Sequence, residues 1–147
     1  MAIRNITFDV GLFLDPEDVP RSRRALLWMM EALIKVNLTY LATHPTVPLY
    51  QSGVVYRAER NTEIWRDVPN ILKYGWGDCE DLACWRAAEL QLAGIAARAW
   101  IKWRDHNNVQ MYHAVVRLPN GEIEDPSIAL GMSGHPIVMR PVYVNPG

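Results

Sequence analysis

The sequence is poor in cysteine, in net charge and in long apolar runs, and each shortage excludes a class of protein. Two cysteines in 147 residues are too few for a disulfide-stabilised scaffold. No apolar run approaches the roughly 18–20 residues of a membrane span, and residues 1–7 lack the apolar core of an export signal. A net charge of −1 provides no electrostatic attraction for nucleic acid. We therefore expect free thiols in a reducing, cytoplasmic compartment, with no nucleic-acid partner and no membrane.

The composition that remains is that of a globular protein. Half of the residues are hydrophobic and 21% are charged, which excludes disordered, collagen-like and low-complexity chains. The sequence has no internal repeat and no linker-like stretch, so residues 1–147 are predicted to form a single domain. Glycine-rich phosphate loops, dinucleotide fingerprints and paired-carboxylate glycosidase patterns are absent from it. We therefore expect no bound cofactor.

A long first helix is predicted after an extended amino-terminal arm. Asp15 would cap this helix, although Pro20 could move its start to Ser22. Residues at helical spacing then follow, namely Leu26, Met30, Leu33, Asn37 and Leu41. The helix should end before His44, which precedes a proline. We expect the basic cluster at 21–24 to be solvated. The side chains expected in the core are those of Trp28, Met29 and Met30.

The segment from 45 to 75 is rich in proline, tyrosine and tryptophan and is predicted to be largely irregular. A short strand is expected near 54–56, and a short helix from Ile64 to Tyr74. Long ordered loops in compact domains often carry binding or catalytic residues. We therefore expect this segment to contribute to a site.

A second long helix and a run of strands complete the predicted fold. Asp78 should cap the helix, with Asp81 in a weak form of the capping box, and Gly94 suits its carboxyl end. The strands expected after it are 96–104, 110–118, 122–125 and 136–144. An exposed turn is predicted at 105–108, and His135 should be solvated. Helices followed by consecutive strands are typical of an α+β domain.

Three side chains in this framework together match what thiol chemistry requires. Cys79 opens the second helix, His113 lies on a strand, and Asp125 ends the next strand. A cysteine nucleophile needs a base, and the base needs a third group to orient it. Each residue alone has an ordinary structural explanation, and Cys84 is expected to be a small buried hydrophobic residue. The three together predict a catalytic triad.

The residues around Cys79 should oppose its activation. A free cysteine has a pKa of about 8.5, so little of it is thiolate at neutral pH. The positive end of a helix stabilises a thiolate. Here, however, Asp78, Glu80 and Asp81 place negative charge at the same helix start. We therefore expect a protonated His113 to supply most of the activation.

The turn between the two strands that carry His113 and Asp125 decides whether these residues meet. Residues 119–121 (Pro-Asn-Gly) suit a three-residue hairpin loop with glycine in the left-handed position. Leu118 then pairs with Glu122, and His113 and Asp125 become diagonal neighbours on one face. A two-residue turn would shift the register by one and put them on opposite faces. The triad therefore predicts the three-residue loop.

A zinc site is an alternative that uses some of the same residues. Its ligands would be Cys79, Cys84, His106 and His113. In zinc sites about two to four residues separate paired cysteines, and about three to five separate paired histidines. Here the gaps are four and six residues, and a helix would turn the two cysteines apart. We therefore expect no metal.

Four short motifs resemble those of the transglutaminase-like superfamily: GDCEDLA at 77–83, GIAAR at 94–98, YHAVV at 112–116 and DPS at 125–127. The resemblance covers about residues 72–130. It implies a papain-like α+β fold, with the cysteine helix packed on an antiparallel sheet. By this match Cys79 is the nucleophile, His113 the base and Asp125 its orienting partner.

The resemblance also implies an activity and a source. Small single-domain members are cysteine peptidases or amidases, and residues 49–54 upstream resemble phage or prophage members. The implied location then includes a virion or an infected host cell. We expect Cys79 to attack an amide of a protein or peptide substrate, and water to hydrolyse the thioester. The alternatives are an amine-accepting transglutaminase, and a non-catalytic or partner-activated assembly module that keeps the fold.

The donors that would stabilise an oxyanion complete the predicted site. The backbone N–H of Cys79, at a helix start, is the natural first donor. Gln51 is the first choice for the second, because an amide can donate to an oxyanion. The further candidates are Tyr50, Tyr56 and Trp76. Trp76 and Trp103 could instead line a groove for the acyl substrate.

Overall fold

The computed structural model describes residues 5–59, 63–106, 109–134 and 143–144, and for 104–106, 109–110, 134 and 143–144 it describes the backbone only. Two long helices pack on a four-stranded sheet, and short elements join them. This mixture of helix and sheet is consistent with the predicted α+β class.

Residues 5–14 form an arm ahead of the first helix, α1 (Val19–Thr43), and contain no helix or strand. Large apolar side chains of the arm are exposed, namely Ile6, Phe8, Val10, Leu12 and Phe13. The N-cap of α1 is Asp18, whose carboxylate accepts a hydrogen bond from the backbone N–H of Arg21 at 3.1 Å. The predicted starts at Asp15 and Ser22 are therefore both wrong. Proline is tolerated in a first helical turn, where its missing N–H has no partner to lose.

One face of α1 packs into the core, and the opposite face is exposed. The buried residues are Ser22, Leu26, Met30, Ile34 and Asn37. Trp28 is 67% exposed, because it lies about 200° around the helix from Met30, and its predicted place in the core is wrong. Arg23 departs from the predicted solvated cluster, since its guanidinium covers the Trp100 ring and donates to the Ile101 carbonyl at 3.1 Å. α1 ends before His44, as predicted.

The length and composition of α1 would also suit a membrane-spanning helix. An 18-residue window of it is apolar on average, and 22% of that window is buried in the structure. A core helix can pass the same test of length and composition, so the expectation of no membrane stays a prediction. That expectation considered uninterrupted apolar runs, whereas mean hydropathy tolerates an occasional polar residue.

The described part of the segment from 45 to 75 is largely irregular, as predicted. The elements of this region are the 3-10 turn Leu49–Gln51, strand β1 (Val55–Tyr56), helix α2 (Val68–Tyr74) and strand β2 (Trp76–Gly77). The predicted start of α2 at Ile64 is wrong, because Asp67 caps the helix by accepting a hydrogen bond from the Asn70 backbone at 3.2 Å. β1 and β2 pair in parallel, which brings the segment beside the next helix.

Helix α3 (Cys79–Leu92) begins and ends where the capping residues predict. Asp78 is its N-cap, and its backbone N–H donates to the Asp81 carboxylate at 3.2 Å to complete a capping box. At the carboxyl end Gly94 has a φ of +86°, as expected for the residue that stops a helix. Ahead of the cap, a Cβ on Gly77 would come within 3.1 Å of Asp81, so a larger residue there would displace its neighbours.

The sheet is antiparallel, with the strand order β3-β4-β5-β6. Its strands are β3 (Arg98–His106), β4 (Val109–Arg117), β5 (Ile123–Glu124) and β6 (Tyr143–Val144). Pairing of β3 with β4 continues to His106, so the predicted turn at 105–108 is wrong in its first half. Residues 107–108, His135 and the His106 side chain lie outside what the structure describes. The strand predicted at 136–144 is described only at 143–144.

The hairpin between β4 and β5 has the predicted three-residue loop. Val116 pairs with Glu124, and the backbone N–H of Leu118 donates to Glu122 O at 2.8 Å. Gly121 has a φ of +89°, the left-handed conformation that the loop requires. The predicted register is therefore confirmed.

α3 is the centre of the core, with ten of its fourteen residues buried. One face packs on α1, β3 and β4, and it includes the fully buried Cys84, whose thiol lies 3.6 Å from the Met30 carbonyl. The other face, with Leu82 and Trp85, packs on the 3-10 turn and on helix α4 (Pro126–Ala129). Cys84 is thus the small buried residue that the sequence predicts, and both cysteines are free thiols.

Candidate active site

Cys79 is the first residue of α3, and it faces the sheet. Its side chain is buried, at 7% exposure, within the apolar cluster that joins α3 to β4. The backbone N–H of Ala114, on β4, faces the cysteine sulfur and acts to lower its pKa. The nucleophile predicted from the sequence therefore lies next to the residue that follows the predicted base.

His113 and Asp125 are joined directly. The His113 Nε2 lies 2.7 Å from Asp125 Oδ2, and both side chains are buried. Asp125 is also the N-cap of α4, since its Oδ1 accepts a hydrogen bond from the Ile128 backbone at 3.2 Å. The carboxylate is therefore held by its own helix and leaves the Nδ1 of the imidazole available for another partner.

The Cys79 thiol forms a hydrogen bond with Glu80, which the sequence analysis treated only as a nearby negative charge. The thiol donates to Glu80 Oε2 at 3.3 Å. Among the described residues, the cysteine sulfur forms no hydrogen bond with the His113 ring. The structure thus brings the three predicted residues to one place, while the thiol proton is directed to Glu80.

The surroundings of the thiol disfavour its ionised form. Burial raises the pKa of Cys79 well above its ordinary value, and the charges of Glu80 and Asp78 raise it further. Burial likewise raises the pKa of Glu80, with Asp81 and Asp78 adding to the shift. The charges of Asp78 and Glu80 thus disfavour the Cys79 thiolate, while Asp81 acts on Glu80.

The expected first oxyanion donor is already engaged. The backbone N–H of Cys79 donates to Asp78 Oδ1 at 2.7 Å, and Asp78 Oδ2 accepts a hydrogen bond from the Glu59 backbone at 3.0 Å. A substrate oxyanion would have to displace the Asp78 carboxylate to use this donor. The predicted oxyanion donor is thus bound to the carboxylate that caps the helix, a conflict that the sequence analysis did not foresee.

The candidates for the second oxyanion donor occupy different places. Gln51 is exposed. Among the described residues, it forms no hydrogen bond with Cys79. The Tyr50 hydroxyl is taken by Glu124, to which it donates at 2.6 Å. Trp76 lies on β2, with the guanidinium groups of Arg57 and Arg66 over its ring. The choice of Gln51 stays a prediction.

Tyr56 is a candidate whose hydroxyl is affected by the charges of residues at the site. Burial raises the pKa of this tyrosine, and the charges of Asp78, Cys79, Glu80 and Asp125 raise it further. Its hydroxyl therefore stays protonated at neutral pH and remains a hydrogen-bond donor. This supports Tyr56 over Gln51 as a donor near the sulfur.

Tyr112 is a further site residue that the sequence analysis did not single out. It precedes His113 on β4, and its pKa is raised by burial and by the charges of Glu80, Glu63 and Cys79. Its ring meets Trp103 edge to face, with centroids 6.1 Å apart. Its position beside a strand histidine was the available signal.

A group of carboxylates adjoins the thiol. Oxygens of Glu59, Glu63, Asp78 and Glu80 lie within 4.8 Å of one another. Glu59 accepts a hydrogen bond from the Ile64 backbone at 2.8 Å and forms an ion pair with Arg66, and Asp78 is occupied by two backbone donors. Backbone donors and Arg66 thus hold much of the grouping, and we assign no metal ligand to it.

Comparison of the chain with models of known protein families, with curated proteins and with solved structures found no match. The assignment of a family and of an activity therefore depends on the motifs and on the geometry of the site.

Proposed function

We propose that this protein is a papain-like thiol acyl-transfer enzyme with a transglutaminase-like fold. Its most direct form is a cysteine peptidase or amidase that acts through a Cys79 thioester. The observation that carries the proposal is the 2.7 Å hydrogen bond between His113 and Asp125, next to a cysteine at a helix start. The confirmed hairpin register supports it, because the other register would separate the two residues.

The geometry supports a defined course for the reaction. The Cys79 thiol gives its proton to His113 Nδ1, and the thiolate attacks the carbonyl carbon of an amide. His113 then protonates the leaving amine, and the thioester remains on the sulfur. Water attacks the thioester with His113 as the base, which releases the acid and restores the thiol. Asp125 holds the imidazole in the tautomer with hydrogen on Nε2.

If a primary amine attacked the thioester in place of water, the reaction would be that of a transglutaminase. Both reactions need the same triad, so a substrate screen with and without a primary amine distinguishes them. We expect a protein or peptide substrate, with choice among substrates made by the irregular segment from 45 to 75.

The decisive experiment measures iodoacetamide alkylation of Cys79 and Cys84 by mass spectrometry from pH 5 to pH 10. Wild type is compared with His113→Ala, and the fully buried Cys84 is the internal control. If His113 serves as the base, the alkylation rate of Cys79 falls in His113→Ala. A Cys79 that reacts equally in both proteins would contradict the proposal. A substrate screen of peptides and glutamine amides follows, with Cys79→Ala as the inactive control.

A non-catalytic or partner-activated assembly module is the second candidate, and one observation favours it. The arm before α1 exposes five large apolar side chains, which is unusual for an isolated domain and typical of a surface that another protein covers. Such a module could act in a phage particle, in the cytoplasm of an infected cell. It predicts that Cys79 reacts no faster than Cys84 in the isolated chain.

A further inference from the structure

The contact between Cys79 and Glu80 distinguishes this thiol from one paired with an imidazole alone. Glu80 Oε2 lies 3.3 Å from the sulfur, and the Glu80 side chain is 0% exposed. Its other oxygen, Oε1, has no hydrogen-bond partner among the described residues. A buried carboxylate with a free oxygen is costly when ionised and much less so when it carries a proton.

Glu80 differs in this respect from the neighbouring acids. Asp78 and Asp81 each accept hydrogen bonds from two backbone N–H groups, which stabilise their ionised forms. Among the residues that the structure describes, the side chain that donates a hydrogen bond to Glu80 is the Cys79 thiol. The proton of the thiol and the protonation of Glu80 therefore depend on each other.

Charged and titratable groups face this pair from every element packed around it. They are Asp78, Asp81, Cys84, Tyr56, Glu59, Glu63, Arg66, Tyr112, His113 and Asp125. Acids outnumber bases in this set. The guanidinium of Arg66 contacts Glu59 and lies 3.9 Å from Asp81, while the His113 ring is bound to Asp125. Little positive charge is therefore available to Glu80.

We propose that Glu80 is a positioning residue that holds Cys79 in its thiol form, so that the thiolate forms only when Glu80 itself carries a proton. This inference rests on the proposed function, since it concerns the nucleophile of that reaction. Ionised Glu80 accepts the thiol hydrogen and repels a thiolate. Protonated Glu80 donates its own hydrogen to the thiolate through Oε2 and stabilises it.

The exchange conserves protons. One proton from solvent binds to the Glu80 carboxylate, and the thiol proton passes to His113 Nδ1. The products are a neutral Glu80, a Cys79 thiolate and a His113 imidazolium held by Asp125. A substrate or partner that neutralises Glu80 would have the same effect as a proton.

The test compares the pH dependence of Cys79 alkylation in wild type and in Glu80→Gln. The amide has the shape of the protonated acid and can donate to the sulfur, but it cannot ionise. In the pH range where wild-type Glu80 is ionised, we expect Glu80→Gln to alkylate about tenfold faster or more, with the titration midpoint of Cys79 shifted to lower pH by about one unit or more. Glu80→Met, which can neither ionise nor donate, should also react faster than wild type but more slowly than the amide.

The matched control is Glu89→Gln, the same change on the same helix at a carboxylate that binds the Leu49 backbone. Circular dichroism and the protection of Cys84 from alkylation establish that each variant is folded. Equal or slower alkylation in folded Glu80→Gln and Glu80→Met overturns the inference. If Glu80→Gln fails to fold, Glu80→Met decides the inference. If both fail, wild type decides it: a Cys79 rate that never falls as pH rises through the Glu80 titration overturns it.

The double variant Glu80→Gln/His113→Ala separates this inference from the proposed function. If Glu80→Gln accelerates alkylation and the gain persists without His113, Glu80 has the proposed role while His113 is not the base. If His113→Ala slows wild type but Glu80→Gln changes nothing, the triad stands and the inference about Glu80 fails.

Discussion

Asp125 has two partners, one for each of its carboxylate oxygens. Oδ2 binds the His113 imidazole, and Oδ1 caps α4. An aspartate before a proline usually serves only as a cap or turn residue. In this protein the cap also fixes the carboxylate against rotation, so the imidazole is oriented without a further side chain.

Asparagine and alanine at position 125 should separate these two functions. Asp125→Asn keeps an oxygen for the Ile128 backbone but loses the charge that stabilises an imidazolium. We expect its stability to stay near that of wild type, while Cys79 alkylation near pH 7 falls about tenfold or more. Asp125→Ala should show the same loss of alkylation rate, and its free energy of unfolding should also be lower by about 1 kcal/mol. Urea unfolding and alkylation kinetics measure both, and a fully reactive Asp125→Asn would contradict the role of the carboxylate.

Buried acids at the start of α3 should make stability depend on pH. Burial raises the pKa of Asp81 to about 7 and that of Glu80 well above its ordinary value. Because the folded state then holds these protons more tightly than the unfolded state, stability is highest below about pH 4 and decreases as pH rises towards 7. Urea unfolding at several pH values measures the free energy of unfolding, and the contribution of Asp81 and Glu80 to it should decrease as pH rises. Glu80→Gln should reduce the slope, and an unchanged slope would contradict a raised pKa at Glu80.

The hairpin that joins β4 to β5 determines which residues face His113. Its loop depends on Gly121, whose φ of +89° is strained for any residue with a Cβ. No heavy atom lies within 4 Å of a Cβ built at this position, so the cost of a substitution comes from the backbone alone.

We expect Gly121→Ala to lower the free energy of unfolding by about 1–2 kcal/mol. Gly11→Ala is the matched control, because Gly11 lies in the arm with open space around it and without a left-handed φ. Urea unfolding of the two variants tests the difference. A neutral Gly121→Ala would mean that the loop can change its type, and the register argument for the triad would weaken with it.

A buried network connects parts of the chain that are far apart in sequence. The Tyr50 hydroxyl and the Arg86 guanidinium both donate to Glu124 Oε1, at 2.6 and 2.7 Å. Glu89, also paired with Arg86, accepts a hydrogen bond from the Leu49 backbone at 2.8 Å. The 3-10 turn, α3 and β5 are therefore held together by groups whose loss would leave a buried carboxylate short of donors.

Tyr50→Phe should destabilise the fold by about 1–3 kcal/mol, because Glu124 is 0% exposed and would lose a donor. Tyr74→Phe removes a hydroxyl from a tyrosine that is 52% exposed, and it should change stability by less than about 0.5 kcal/mol. Urea unfolding distinguishes the two. Equal effects would show that the hydroxyl of Tyr50 has no structural role.

Much of the secondary structure could be predicted because its signals are local. The cap at Asp78, the stop at Gly94 and the hairpin loop at 119–121 each depend on residues within a few positions. The start of α1 was predicted wrongly because three acceptable caps, Asp15, Asp18 and Ser22, lie within eight residues of one another. The start of α2 was missed because Asp67 caps it after an irregular stretch.

The candidate site was predictable in its members and not in its hydrogen bonds. Order and register bring Cys79, His113 and Asp125 together, and these follow from the chain itself. Whether the thiol proton faces His113 or Glu80 depends on the packing of α3 against β4. The presence of Glu80 next to Cys79 in the sequence does not predict which group the thiol binds, because helix geometry alone does not set the rotamer of a buried side chain.

Contacts between near neighbours therefore made the elements of this protein predictable, since caps and tight turns are local devices. Tertiary packing alone decided the partner of Tyr50 and the hydrogen bond of the Cys79 thiol. Each of these depends on which elements meet and on how much water they exclude. The free energy of burying a polar or charged group is set by the groups that surround it in the folded chain, and these come from distant parts of the sequence.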